Sequence, residues 1–221
     1  MNLTVIIPAL NAAATISGTL ETMSTLAEVI VVDGGSRDET EEIARRHGAR
    51  VIRAQRGRGP QLAAGAAAAT SEWLLVLHAD TRLESNWTAV VMRFMADPRS
   101  TSRAATFRFK LDEDCWQARL LERLVGWRGR VLGLPYGDQG LLIHRDFYAA
   151  LGGYPVWPLM EDVGMVRKVG RSRLVTLPIC AVTSAARWRR EGWIVRSSRN
   201  VLCLSLFYLG VPPRMIARLY G

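Results

Sequence analysis

Four acidic positions stand where apolar runs give way to turns, the usual location of binding and catalytic side chains in an alternating α/β chain. Asp33 closes Val29-Ile30-Val31-Val32 and precedes Gly34-Gly35-Ser36. A carboxylate there can accept from a ribose hydroxyl or a base N–H, or from the backbone of its own turn. Asp80 closes Trp73-Leu74-Leu75-Val76-Leu77 by way of His78-Ala79. Residues two apart share a strand face, so Asp80 and His78 can hold a divalent cation whose other oxygens come from a diphosphate. A solvated strand-end aspartate is the plainer alternative. Glu161-Asp162 follows the Gly152-Gly153-Tyr154-Pro155 turn at a predicted helix start. Such carboxylates can take a proton in catalysis or favour the helix N-terminus. Asp138-Gln139 lies in Tyr136-Gly137-Asp138-Gln139-Gly140, a turn by composition, and Arg58 in Gly57-Arg58-Gly59-Pro60 can reach a phosphate.

The elements that must carry these residues alternate through the first 80 positions. Strands are expected at Leu3 to Ile7, Val29 to Val32, Val51-Ile52 and Trp73 to Leu77. Helices are expected from about Ala12 to Leu26, from an Asp38 cap to His47 with Gly48 as the stop, and from Gln61 to Ala69. Continuous apolar strands separated by helices imply a mostly parallel sheet covered on both faces, with ligands outside the strands' carboxyl ends. The second half reads as helix Asn86 to Met95, strand Ala104 to Lys110, helix Trp116 to Val125, strand Gly140 to Ile143, helix Asp146 to Leu151, helix Glu161 to Val169 and strand Leu174 to Leu177. The expected division is a domain over 1–192 and an amphipathic helical tail over 193–221. That tail either packs on the domain or lies on a membrane surface.

Composition narrows the classes. The 221 residues are 49% apolar and 22% charged, which excludes a disordered chain. Net charge is +9, and only Lys110 and Lys168 among the 29 basic residues are lysine. Arginine suits planar phosphate contacts, although a coding bias would also produce it. The arginines are scattered and no nucleic-acid motif occurs, so a nucleic-acid partner is not expected. Three widely spaced cysteines make no disulfide framework or zinc cluster and fit a reducing, cytoplasmic setting, with peripheral contact to an anionic inner membrane face as the further option. Neither G-x-G-x-x-G after the first strand nor G-x-x-x-x-G-K-[ST] is present.

The ordered stretches Ile6-Ile7-Pro8-Ala9-Leu10-Asn11, Val31-Val32-Asp33-Gly34-Gly35-Ser36-Arg37-Asp38-Glu39-Thr40, Leu77-His78-Ala79-Asp80 and Glu161-Asp162 resemble the motifs of family 2 glycosyltransferases over roughly residues 3 to 170. The resemblance implies the GT-A fold, a nucleotide-diphosphate-sugar donor, a Mn²⁺ or Mg²⁺ cofactor and inversion at the anomeric carbon. It implies a donor surface of Pro8, Ala9, Asn11, Asp33, Ser36, Arg58, Gln61, His78, Ala79 and Asp80, with His78 and Asp80 toward the metal. Asp162 is then the expected catalytic base beside Glu161, and Asp138 and Gln139 would face the acceptor, with a lipid-linked acceptor as one option. Two positions depart from the pattern: Gly34 replaces a second acid, and His78 opens the D-x-D motif in place of Asp. Gly137-Asp138-Gln139 and Arg187-Trp188 resemble a small bacterial subgroup, the radical-SAM/selenodomain-associated transferases. A sugar-phosphate nucleotidyltransferase would need a basic glycine-rich loop after the first strand, which is missing. A catalytically inactive relative that binds nucleotide or membrane is the other alternative.

Overall fold

The computed structural model describes residues 2–23, 27–132 and 134–220. Strands are β1 (Leu3–Ala9), β2 (Glu28–Asp33), β3 (Arg50–Arg53), β4 (Trp73–Val76), β5 (Thr81–Leu83), β6 (Ala104–Leu111), β7 (Leu141–His144) and β8 (Leu174–Thr183). Helices are α1 (Ala13–Glu21), α2 (Thr40–Arg46), α3 (Arg58–Ala68), α4 (Trp87–Met95), α5 (Trp116–Leu132), α6 (Arg145–Ala150), α7 (Glu161–Val169), α8 (Ala186–Glu191), α9 (Trp193–Tyr208) and α10 (Pro213–Tyr220). One eight-stranded sheet runs β3-β2-β1-β4-β7-β6-β8-β5. β3, β2, β1 and β4 are mutually parallel, β7 is antiparallel to both its neighbours, and β6 and β8 are parallel. The expected α/β class with a mostly parallel sheet holds.

β1 explains why the strands are apolar throughout. Val5 and Ile7 face one core with Ile16 and Leu20 of α1 and Trp87 and Val91 of α4, while Ile6 faces the other with Leu62 of α3, Phe147 of α6 and Met165 of α7. Alternate residues point to opposite faces, so a strand covered on both sides needs apolar residues at every position.

Several element ends move from their expected places. β8 continues past Leu177 through Pro178, because the β6–β8 register shifts between Thr106 and Arg108 and the proline sits in that irregularity. α5 runs seven residues beyond Val125 to Leu132. α3 starts at Arg58, since Pro60 falls in its first turn, where a missing N–H costs nothing. Glu39 occupies the N-cap position of α2, and the Asp38 carboxylate accepts from the first N–H of that helix, Thr40 N, at 3.1 Å. The same carboxylate accepts from Ala13 N at 3.1 Å and from the Thr40 hydroxyl at 2.5 Å, which ties the starts of α1 and α2 together. The expected end of the first helix at Leu26 lies outside the described residues; the helix itself closes at Glu21.

Candidate active site

The first site segment is the β1–α1 loop against the β2 end. Asp33 is fully buried, and its Oδ1 accepts from Gly35 N at 2.7 Å and Ser36 N at 2.8 Å while Oδ2 accepts from the Ser36 hydroxyl at 2.5 Å. Asn11, in the left-handed region at φ 49°, donates its N–H to Ser36 Oγ at 2.8 Å and accepts from Arg37 N at 2.9 Å. Asp33, Ser36 and Asn11 therefore lock one another, and in this conformation the Asp33 carboxylate offers no open surface to a nucleotide. Three short-range donors thus hold the Asp33 carboxylate within its own loop. Pro8 and Ala9 pair with Val32 and Asp33 at the parallel strand ends and form the floor of this loop.

Gln61 is likewise engaged within the fold. It is buried, and its Nε2 donates to Ala9 O at 2.8 Å and Val32 O at 2.7 Å, clamping β1 to β2. A Cβ added at Gly34 would stand 3.1 Å from three atoms of the Gln61 amide. A side chain at position 34 would therefore press on the Gln61 clamp, which would have to give by a few tenths of an ångström.

Arg58 sits one helical turn before Gln61 and reaches a different region. Gly59 N donates to Trp157 O at 3.1 Å, and a Cβ on Gly59 would meet Pro155 O at 2.3 Å. Only glycine lets α3 approach the 155–157 segment so closely. This contact sets Arg58 beside the α7 start. Burial lowers the Arg58 pKa, but the charges of Glu161, Tyr220, Asp162 and Asp80 outweigh it and raise the value.

A cleft of 660 Å³ opens beside Arg58 and gathers His78, Asp80, Asp138, Asp162 and Arg187. His78 and Asp80 meet there through the turn after β4, not along a strand face. The Asp80 backbone carbonyl accepts from Ser184 N at 3.0 Å, which draws α8 over the turn and leaves Arg187 Nη2 4.0 Å from Asp80 Oδ2. The Thr183 hydroxyl, at the end of β8, contacts the Thr81 hydroxyl at 2.9 Å and Asp138 O at 3.3 Å. Asp80 and Asp138, 58 positions apart in sequence, are thereby braced against one strand end. Ala79, between His78 and Asp80, is buried.

Asp138 has a buried Oδ1 without a hydrogen-bond partner among the described residues. Burial raises its pKa to about 6, opposed by Arg128 and assisted by Asp162 and Asp80. Gln139 turns away from the cleft: it is buried and donates to Phe107 O at 3.0 Å, so the expected acceptor contact at that residue does not form. Burial, with Arg58 and Arg187, holds His78 well below its usual value and hence neutral.

Glu161 and Asp162 open α7 after Met160, which takes a left-handed conformation at φ 65°. A non-glycine residue there costs of order 1–3 kcal/mol and re-aims the chain. Asp162 lines the cleft and accepts from Val163 N at 2.7 Å. Glu161 is 1% exposed, does not line the cleft, and has Oε2 unpartnered among the described residues. Burial and then the Asp162 charge raise its pKa to about 8. Glu161 is thus set back from the cleft surface that Asp162 lines.

The expectation at sequence level did not include Arg128, Tyr136 or Arg187 among the site residues. The Arg128 guanidinium lies 3.8 Å from the Tyr136 ring centroid and its Nε donates to Leu134 O at 3.0 Å. Arg128 was hidden because the α5 pattern was ended at Val125. Arg187 had a signal in the Arg187-Trp188 pair, but nothing local ties it to Asp80.

The model of glycosyl transferase family 2 matches residues 4–140. The chain belongs to that family. Among solved structures, this family 2 chain superimposes on Staphylococcus aureus TarS in complex with UDP-GlcNAc at TM-score 0.64 and 16% identity, covering 83% of this chain and 59% of that one. It matches Mycobacterium tuberculosis glucosyl-3-phosphoglycerate synthase, solved with Mn²⁺, UDP and glucosyl-3-phosphoglycerate, at TM-score 0.64 and 21% identity over 95% of this chain and 80% of that one. Pyrobaculum calidifontis mannosyltransferase PcManGT, solved with GDP-Man and Mn²⁺, matches at TM-score 0.67 and 22% identity over 90% of this chain and 59% of that one. The chain thus spans less than two thirds of TarS and of PcManGT. No curated protein sequence matches it significantly. No helix among the described residues is long and apolar enough to cross a membrane.

Proposed function

We propose that the cleft transfers a sugar from a nucleoside-diphosphate sugar to an acceptor hydroxyl, with inversion at the anomeric carbon. The observation that carries this reading is the convergence of Asp80, Asp138 and Asp162, from three separate turns, with Arg58 and Arg187 on one cleft. Inversion needs one base opposite the leaving diphosphate. Asp162 is the carboxylate whose place suits that role, because Arg187 lies 4.0 Å from Asp80 and can stabilise, at that end of the cleft, the charge that gathers on the diphosphate. The loop held by Asp33, Ser36 and Asn11 shapes the nucleotide end without presenting its own carboxylate.

Residue chemistry fits a divalent cation in one way. No group of three or more His, Cys, Asp or Glu side chains able to hold a metal occurs among the described residues. Asp80 and neutral His78 supply two ligands, and a cation that takes its remaining oxygens from diphosphate and water, as Mg²⁺ does, suits such a pair. Mn²⁺ or Mg²⁺ held there would offset the charge of the leaving diphosphate. The solved relatives with Mn²⁺ support this. We also take residues 1–192 as the transferase domain and 193–221 as a segment that walls its cleft, and place the chain in the radical-SAM/selenodomain-associated subgroup on Gly137-Asp138-Gln139 and Arg187-Trp188.

The test pairs donor titration with initial rates for Asp162→Asn. Asparagine caps about as well as aspartate, so folding survives. A fall in kcat of order 10²–10⁴ with little change in donor affinity is expected. Near-normal turnover by the variant would refute the assignment. Donor binding by the parent chain without turnover of any nucleotide sugar would favour the inactive relative.

A further inference from the structure

Beyond its acids the cleft changes character. Its far end is lined by Trp116, Leu120, Leu124 and Trp127 of α5 and by Ile194 and Val201 of α9. These are not filled core positions: Trp116 is 71% exposed and Ile194 82%. Among the described residues, every large apolar side chain that is exposed, apart from Met92 and Val156, lies on α5, α9, the turn after α9 or α10. Exposed apolar groups so concentrated mark an interaction surface, whereas singly scattered ones are ordinary.

Charge is segregated onto these helices and the adjoining α8. By sequence α5, α8, α9 and α10 hold eleven arginines and two glutamates, a net +9 that equals the net charge of the whole chain. The rest of the chain is balanced. Some of these arginines serve the fold: Glu191 pairs with Arg190 at 3.2 Å, Arg196 at 3.3 Å and Arg199 at 2.9 Å. Exposed Arg123, Arg214 and Arg218 make no ion pair among the described residues.

We propose that this face docks on an anionic lipid bilayer, with acyl chains entering the cleft between α5 and α9. Apolar side chains ringed by arginine are what a bilayer with anionic headgroups complements. A second copy of the chain does not complement this face, because it would bring +9 against +9. The inference rests on the transferase reading only for its consequence: a hydroxyl carried on a membrane lipid would meet Asp162 at the polar end of the same cleft.

Co-sedimentation with vesicles of phosphatidylcholine, alone or mixed with phosphatidylglycerol, tests docking. Binding only to the mixed vesicles, weakening as salt rises, is expected. An arginine near such a surface contributes about fivefold, so the combined Arg123→Gln, Arg214→Gln and Arg218→Gln variant should bind on the order of a hundredfold more weakly. Mixed vesicles with brominated acyl chains should quench tryptophan fluorescence, and the Trp116→Phe, Trp127→Phe double variant should lose most of that quenching while still sedimenting. Binding of UDP or GDP with Mn²⁺, measured by calorimetry, should be unchanged in both variants; that also shows they are folded. Equal binding to neutral vesicles, no binding to either, quenching that survives the double variant, or a dimer with no vesicle binding would overturn the inference while nucleotide binding by the parent remained. Loss of nucleotide binding in the parent would instead overturn the transferase reading and leave docking to stand on the vesicle result.

Discussion

Glu161 is a buried carboxyl whose pKa is raised to about 8, so at neutral pH it is mainly a neutral acid. The folded chain then holds a proton that the unfolded chain, near 4.5, releases. Stability from this group is fully present below the unfolded value and is lost as pH climbs to about 8. Glu161→Gln removes the titration. Its melting temperature should match the parent's near pH 5 and exceed it at pH 9, by an amount on the order of several kcal/mol in unfolding free energy. Denaturant melts at the two pH values check this, and parallel curves would return Glu161 to an ionised role. Asp138 shifts in the same direction, to about 6, and faces the cleft. The acidic limb of kcat/KM should therefore contain an apparent pKa near 6 that Asp138→Asn removes. A limb unchanged in the variant would assign that titration elsewhere.

At the scale of elements, the site depends on how α3 meets the segment before α7. Gly59 allows backbone contact there, and the added methyl of Gly59→Ala would meet Pro155 O at 2.3 Å. Overpacking of this kind costs about 1–3 kcal/mol. Because Arg58 and Asp162 are positioned by the same contact, the variant should also raise KM for the donor. Gly129→Ala in α5, where an added Cβ meets nothing within 4 Å, is the control. It should stabilise by up to about 1 kcal/mol, the helix-propensity gain, and leave KM unchanged. A donor KM unaffected in Gly59→Ala would show that Arg58 is held by other means.

For the whole molecule, nucleotide binding and folding are linked. A nucleoside diphosphate with Mn²⁺ at about 100 times its dissociation constant should stabilise the fold by about 2.7 kcal/mol. Asp80→Ala should remove most of that gain for UDP or GDP and little of any gain from the bare nucleoside, if Asp80 holds the diphosphate through a cation as proposed. Thermal melts with and without EDTA measure it. Equal losses for both ligands, or an EDTA-insensitive parent, would remove Asp80 from the metal role.

Strand apolarity, glycine turns and the acids at strand ends were legible in the sequence, because backbone periodicity and turn chemistry are local. Asp80, Arg58 and the α/β sheet could be read on that basis. Other features depended on neighbours distant in the chain. Asp33 and Gln61 stand in the sequence where donor contacts are expected, but their hydrogen bonds to Ser36, Ala9 and Val32, which hold the loop and the strand ends, depend on the fold. Glu161 and Asp162 are indistinguishable by local chemistry, and only the packing of α7 buries the first and leaves the second on the cleft. The apolar run Leu174 to Leu177 predicts only the first part of β8, and its continuation through Pro178 depends on pairing with β6, whose register irregularity admits a proline. The arginine excess was visible from composition, but its collection on four helices around exposed apolar side chains required the chain to fold. Charge counts carry no positions, and burial is a property of packed surfaces.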